Sequence, residues 1–136
     1  MREIYLKGFE IAIKGSSPLA LMTSYNLVNG VHTANSTDLL TSICRGEWGY
    51  EGLIMTDWGT TGGGDLMEAA GKKYGCSSPA GCIHAGNDLI MPGSQEDVDA
   101  IIYAAEHPET GELAIEELRA SAERIITTAM KTQEGE

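Results

Sequence analysis

Basic residues are scarce in this chain. Only 9 of its 136 residues are Lys or Arg, against 20 Asp or Glu, which leaves a formal net charge of −11 at pH 7. A field of that sign repels phosphate backbones and anionic membrane surfaces, and no basic cluster offsets it, so neither nucleic acid nor membrane is an expected partner. No apolar run is long enough to span a bilayer. No secretory signal is legible at Met1-Arg2-Glu3, and the expectation is a soluble protein, cytoplasmic or secreted, with the compartment open. Cysteine is also sparse. Cys44, Cys76 and Cys82 are the only three, and an odd count argues against a full disulfide framework. Cys76 and Cys82 could close a small loop, and His84 could join them around a metal, but the spacing is not a zinc pattern. Free thiols and no metal site are the expected reading, and nothing in the chain asks for a cofactor. No internal repeat or linker divides it.

What is present suits one globular domain. The chain is 42% hydrophobic and 21% charged, and its length allows a real core. Tyr5, Phe9 and Ile13 recur at four-residue spacing, which predicts a helix over 2–14 that stops near Gly15, before Pro18. Leu19 to Thr23 is a short apolar run that reads as a strand buried on both faces, and Asn29-Gly30 marks a turn. A helix beginning near Ser36 or Thr37 would show Leu39, Leu40 and Ile43 inward. Trp48 and Tyr50 then lead to a second apolar strand, Leu53 to Met55. After it come the Gly-rich run Thr60 to Asp65, a short helix expected over 65–70, an irregular stretch over 72–81, and a helix tail over 83–87. Asp88 to Met91 reads as a third strand, stopped by Pro92-Gly93. Ser94 is placed to cap a helix whose first turn carries Glu96 and Asp97, where the helix dipole favours acids. Val98, Ile101, Ile102 and Ala105 would line its inner face, and His107-Pro108 would break it. A last helix is expected over 112–131, with Ile115, Leu118, Ala122, Ile125, Ile126 and Ala129 inward. Strands alternating with helices predict an α/β fold with parallel strands. Three such units are a natural slice of a (β/α)8 barrel, which needs about 250 residues in full.

Asp57 stands where the second strand ends, with Trp58 beside it and Gly59 after it. Alone, an Asp in that place is more often a cap. In parallel α/β folds, however, reacting groups gather at the carboxyl ends of strands. The Gly-rich run that follows could cradle phosphate, but no Lys-Ser/Thr pair follows in the P-loop arrangement, so flexibility or close approach to a ligand is the better reading.

Four blocks sharpen this. Met22-Thr23-Ser24-Tyr25-Asn26-Leu27-Val28-Asn29-Gly30, Arg45-Gly46-Glu47-Trp48-Gly49-Tyr50-Glu51-Gly52, Met55-Thr56-Asp57-Trp58-Gly59 and Ala85-Gly86-Asn87-Asp88-Leu89-Ile90-Met91-Pro92-Gly93 stand in the order and spacing of glycoside hydrolase family three. In all four the sequence resembles that β-glucosidase family. The resemblance implies that residues 1–136 form a single domain, about the last three β/α units of the family's TIM-type barrel, with closing helices over 95–131. It implies a retaining glycosidase that acts on an oligosaccharide or aryl β-glycoside through a covalent glycosyl ester on Asp57. Met22, Tyr25 and Trp58 match positions that line the subsite for the terminal non-reducing sugar. Without the family, Met22 reads as core filler, and Trp48 reads as core in either case.

The same resemblance says what to expect elsewhere. The family's Lys-His pair and further sugar ligands belong to earlier barrel units, and neither His84 nor His107 matches that pair. The acid/base residue usually comes from another domain, and none of Glu47, Glu51, Asp65 or Asp88 matches it. The remaining barrel and an α/β sandwich domain are therefore expected partners, and the chain is expected to be inactive alone, since protonation of the leaving group is worth about 10² to 10⁴ in rate. Open sheet edges would also invite self-association. The alternatives are a β-xylosidase or β-N-acetylglucosaminidase of the same family, or a non-catalytic carbohydrate-binding or assembly domain. An intact Asp57 weighs against the last.

Overall fold

The computed structural model describes residues 1–62 and 74–133. A π-helical turn, Arg2–Leu6, runs into helix α1 (Lys7–Ser16). Gly15 lies inside the helix rather than at its end. The stop is Ser17, which turns left-handed (φ 46°) and donates its N–H to the Ile13 carbonyl. Pro18 comes next and has no N–H with which to continue.

Strand β1 (Ala20–Met22) pairs in parallel with β4 (Leu53–Met55), with Ala20 opposite Leu53, Leu21 opposite Ile54 and Met22 opposite Met55. Between them a hairpin of β2 (Leu27–Val28) and β3 (Val31–His32) turns through Asn29 (φ 52°) and Gly30 (φ 82°). Two successive positive φ values are the signature of the tight hairpin turn that matches strand twist. Thr33–Asn35 forms a 3₁₀ turn, and α2 (Asp38–Glu47), of π type, buries Leu40, Ile43 and Cys44.

The third strand expected over 88–91 shrinks to one parallel bridge, Leu89 to Met55, on the other side of β4. Side chains replace the missing ladder bonds. The Asp88 carboxylate accepts the Ile54 N–H at 2.8 Å, and the Thr56 hydroxyl accepts the Met91 N–H at 2.9 Å.

The Gly-rich run beyond Gly62 and the helix expected over 65–70 lie outside the described residues. Helix α3 (Pro79–Ala85) starts earlier than the sequence suggests, because Ser78 caps it, Pro79 fits its first turn and Gly86 (φ 114°) ends it. Helix α4 (Gln95–Glu106) has the expected Ser94 cap, which accepts the Asp97 N–H. After the break at His107-Pro108, the chain closes with α5 (Ile115–Gln133).

Strand residues alternate between two faces. Leu21 and Ile54 point to the helices, where Ile13, Leu40, Cys44, Tyr50 and Ala85 complete a core with Trp48 against it. A second core of Ala80, Ile83, Ala104 and Leu113 joins α3, α4 and the approach to α5. The opposite sheet face is barer than expected. Ala20 is exposed and Met22 is 56% exposed, since no described residue covers that end of the face or pairs with the free edge of β1. The helix stripes also rotate. Val98 and Ile102 stay exposed while Ala104 turns inward, and on α5 Ile115 and Ile126 stay exposed while Ser121 is buried. The cause on α5 is Asp88, whose backbone carbonyl accepts from Ser121 and whose carboxylate accepts from Arg124.

Among the described residues, both flanks of the sheet are open. Beside β1 an apolar cavity of about 610 Å³ is bordered by Tyr5, Phe9, Leu21, Met22, Leu27 and Trp48. Beside Leu89 and Ile90 a second, of about 260 Å³, is bordered by Ile83, Ile101, Leu118 and Ile125.

Candidate active site at the strand ends

Asp57 lies two residues beyond β4. By alternation it shares the face of Met55, turned away from the helices, and Met22 stands on that face in register with Met55. Thr56 beneath is fully buried, and its N–H donates to the Leu89 carbonyl at 2.9 Å. Asp57 is half-buried, and its Oδ1 accepts the Trp58 N–H at 2.8 Å. Trp58 is 43% exposed, and its indole offers an apolar face to a ring-shaped ligand. Tyr25, from the loop after β1, donates its hydroxyl to the Trp58 carbonyl at 2.6 Å. That bond joins residues thirty-three positions apart, one from each of two blocks. Burial raises the Tyr25 phenol above its ordinary range, and the negative charge of Asp57 and hydrogen bonding to it raise it further. On the other side, the Gly59 N–H donates to the Met91 carbonyl at 2.6 Å.

The loop stands on a buried ionic base. Asp88, its side chain wholly shielded, accepts from Arg45 Nη2 at 2.8 Å and Arg124 Nε at 2.7 Å, besides Ile54 N. Arg45 also donates to the carbonyls of Gly86 and Gly52. Burial lowers its guanidinium, and the Asp88 charge opposes that. Asn87, also buried, ties the Ala34 and Cys82 carbonyls to Thr23 at the end of β1. Asp88 is thus a structural anchor. Glu47 is tied to Arg2 at the surface, and Asp65 lies outside the described residues.

Cys44 and Cys82 are buried and Cys76 is exposed, all as free thiols. His84 instead faces Glu117 at 2.9 Å. Among the described residues no cluster of three or more His, Cys, Asp or Glu side chains could hold a metal ion, and no helix is long and apolar enough to cross a membrane.

The family profile described as "Glycosyl hydrolase family 3 N terminal domain" matches residues 1–128. The chain belongs to glycosyl hydrolase family 3. β-Glucosidase B of Emericella nidulans is 50% identical over 93 residues, covering 68% of this chain and 9% of that protein. An exo-α-(1→6)-L-arabinopyranosidase of Bifidobacterium breve is 38% identical over 133 residues, 98% of this chain and 15% of that protein. The crystal structure of a family 3 β-glucosidase from Bifidobacterium adolescentis superposes with a TM-score of 0.79 at 37% identity, covering 98% of this chain and 17% of that one. The chain therefore spans roughly a tenth of the length of the first relatives it matches. Its fold is the family's: parallel β/α units of a TIM-type barrel, in part.

Within this family 3 segment, the structure brings Tyr25 together with Asp57-Trp58 by a direct bond and sets Met22 on the same face of the sheet. Nothing local in the sequence assigns a role to Thr56, Arg45, Asn87 or Arg124. Arg45 and Asn87 lie inside the family blocks, but no local pattern says that their partners come from other units.

Proposed function

We propose that this chain is the nucleophile-bearing part of a retaining glycoside hydrolase that removes a terminal, non-reducing β-linked sugar. The observation that carries this reading is the Tyr25-to-Trp58 bond beside Asp57. It gathers a carboxylate, a phenol and an exposed indole at the carboxyl end of a barrel strand, in a chain of family 3. The Asp57 carboxylate attacks the anomeric carbon as the bond to the aglycone oxygen breaks, and that oxygen leaves with a proton supplied by an acid. Water then attacks the anomeric carbon, gives its proton to the acid that was deprotonated in the first step, releases the sugar and restores the Asp57 carboxylate. Trp58 and Met22 offer apolar surface to the sugar ring, and Tyr25 holds the loop.

The acid, and most sugar contacts, come from outside residues 1–136. The single domain formed by these residues supplies about the last three β/α units, closed by helices over 95–131. The rest of the barrel and an α/β sandwich domain complete the site, and the chain by itself is inactive and self-associates through its open flanks. The sugar is glucose or a close relative, and the arabinopyranosidase among the relatives favours keeping other sugars in the assay.

The test is hydrolysis of aryl β-glucosides and α-L-arabinopyranosides by the full-length protein and by this chain, each with Asp57→Asn beside it. Turnover by the full-length protein that disappears in the variant is the expected result. Turnover that survives Asp57→Asn removes Asp57 from the reaction, and turnover by the chain alone removes the claim that it is inactive.

A further inference from the structure

The bonds around Asp57 assign a task to its neighbour. Thr56 is fully buried, and the single backbone bridge between β4 and the next segment, Met55 to Leu89, ends with the Thr56 N–H on the Leu89 carbonyl. Beyond that bridge the Thr56 hydroxyl oxygen serves as the acceptor for the Met91 N–H, at 2.9 Å. The Met91 carbonyl in turn accepts the Gly59 N–H at 2.6 Å. Met91 is therefore fixed at both ends of its own backbone unit, to the residue before Asp57 and to the second residue after it. From the opposite side, Tyr25 fixes the Trp58 carbonyl. The Asp57-Trp58 backbone is held from both neighbouring segments, and among the described residues the side-chain bond in the Met91 half of that bracket is the one made by Thr56.

We infer that Thr56 is a positioning residue, which sets the Asp57 carboxylate through the Met91 bracket. This rests on the reading of Asp57 as the nucleophile. Attack on carbon needs reacting atoms about 3–3.5 Å apart, and a shift of about 1 Å costs about 10²-fold in rate. A hydroxyl at position 56 is required because it accepts a hydrogen bond. The methyl group of Thr56 only fills space. Valine keeps the shape and loses the acceptor, whereas serine keeps the acceptor and loses the methyl.

The experiment is covalent labelling of the full-length protein by a β-glucoside that carries a dinitrophenolate leaving group and a ring fluorine that slows hydrolysis of the ester. Asp57 forms the ester bond as the phenolate departs with its electron pair, and this leaving group needs no protonation, so the rate reports the attack alone. In Thr56→Val the maximal labelling rate is expected to fall about 10- to 100-fold, with half-saturation changed less than about threefold. Thr56→Ser is expected to stay within about threefold of wild type in both. If Thr56→Val does not fold, a backbone ester in place of the Met91 amide deletes the same N–H with Thr56 intact, and the same fall is expected. Labelling of Asp57 at the wild-type rate in Thr56→Val or in the ester overturns the inference, as does a Thr56→Ser as slow as Thr56→Val. Labelling of another residue, or of none, in the wild type sinks the reading of Asp57 itself and the inference with it.

Discussion

Replacing Asp88 with Asn tests the buried ionic base of the site. The amide oxygen can keep Ile54 N and Arg45 Nη2, which both bond Oδ2. The NH₂ group must then face Arg124 Nε, which bonds Oδ1 at 2.7 Å, so a donor meets a donor. A hydrogen bond to a charged group is worth about 1.5–3 kcal/mol. Removing one member of a buried ion pair costs about 3–5 kcal/mol, because the other charge is left uncompensated. The Asp88 side chain is 0% exposed, but Arg45 is 14% and Arg124 24% exposed, so water can partly solvate the stranded guanidinium groups. The low end, about 3 kcal/mol, is the expected loss. Against a domain stability of about 5–15 kcal/mol that is a large fraction. The assay is urea denaturation of the chain followed by circular dichroism. With a slope of about 1–3 kcal/mol per molar urea, the midpoint drops by about 1–3 M. Arg124→Met is the second arm. If the pair is coupled, the double variant loses less than the sum of the two singles, by about 1–2 kcal/mol. A loss below about 1 kcal/mol for Asp88→Asn, or strict additivity in the double variant, refutes the account of Asp88 as a charge-paired anchor.

Four further outcomes follow from the geometry. Asp57→Asn removes the negative charge that helps to hold Tyr25 protonated, so the Tyr25 phenol titrates at lower pH in the variant, read from phenolate absorbance with Tyr25→Phe as the blank. Of the three thiols, Cys76 alone should react fast with an aromatic disulfide reagent, because it is exposed while burial pushes Cys44 and Cys82 up to about 11. Since those two folded-state values exceed the ordinary 9.0, their contribution to stability is complete below about pH 9 and is lost as pH rises through 11, and urea midpoints measured across that range should fall. Gly86→Ala should destabilise by about 1–3 kcal/mol, because Gly86 has φ 114° and an added Cβ would stand 2.9 Å from Thr41 Oγ1. An unchanged melting temperature would contradict that.

The parts of the molecule legible in the sequence are those set by local chemistry. Ser94 caps α4 because a hydroxyl before acidic first-turn residues does so in almost any context, and Leu53 to Met55 is a strand because an apolar run between turn signals has few other uses. Asn29-Gly30 marked a turn, but two-residue strands are too short to show alternation, so the hairpin around it was not visible. What failed depends on distant partners. The strand at 88–91 was expected from its apolar residues, yet Asp88 and Thr56 supply side-chain bonds where a ladder would run. Hydrophobicity alone predicts another α5 stripe, yet Asp88 turns Ser121 inward through its backbone carbonyl and Arg124 through its carboxylate. In the site, Asp57, Trp58, Tyr25 and Met22 were named through family motifs. That Tyr25 reaches the Trp58 carbonyl is a fact of the fold that no spacing in the sequence encodes.

The two arginines on Asp88 also set an order in time. Arg45 precedes Asp88 in the chain, and Arg124 follows it by 36 residues. At a synthesis rate of about 5–20 residues per second, Arg124 is joined to the growing chain about 2–7 s after Asp88. Through that interval the carboxylate that braces β4 has only Arg45 to neutralise it. The strand that leads to Asp57 thus gains its second brace only once α5 has been made and folds back over it.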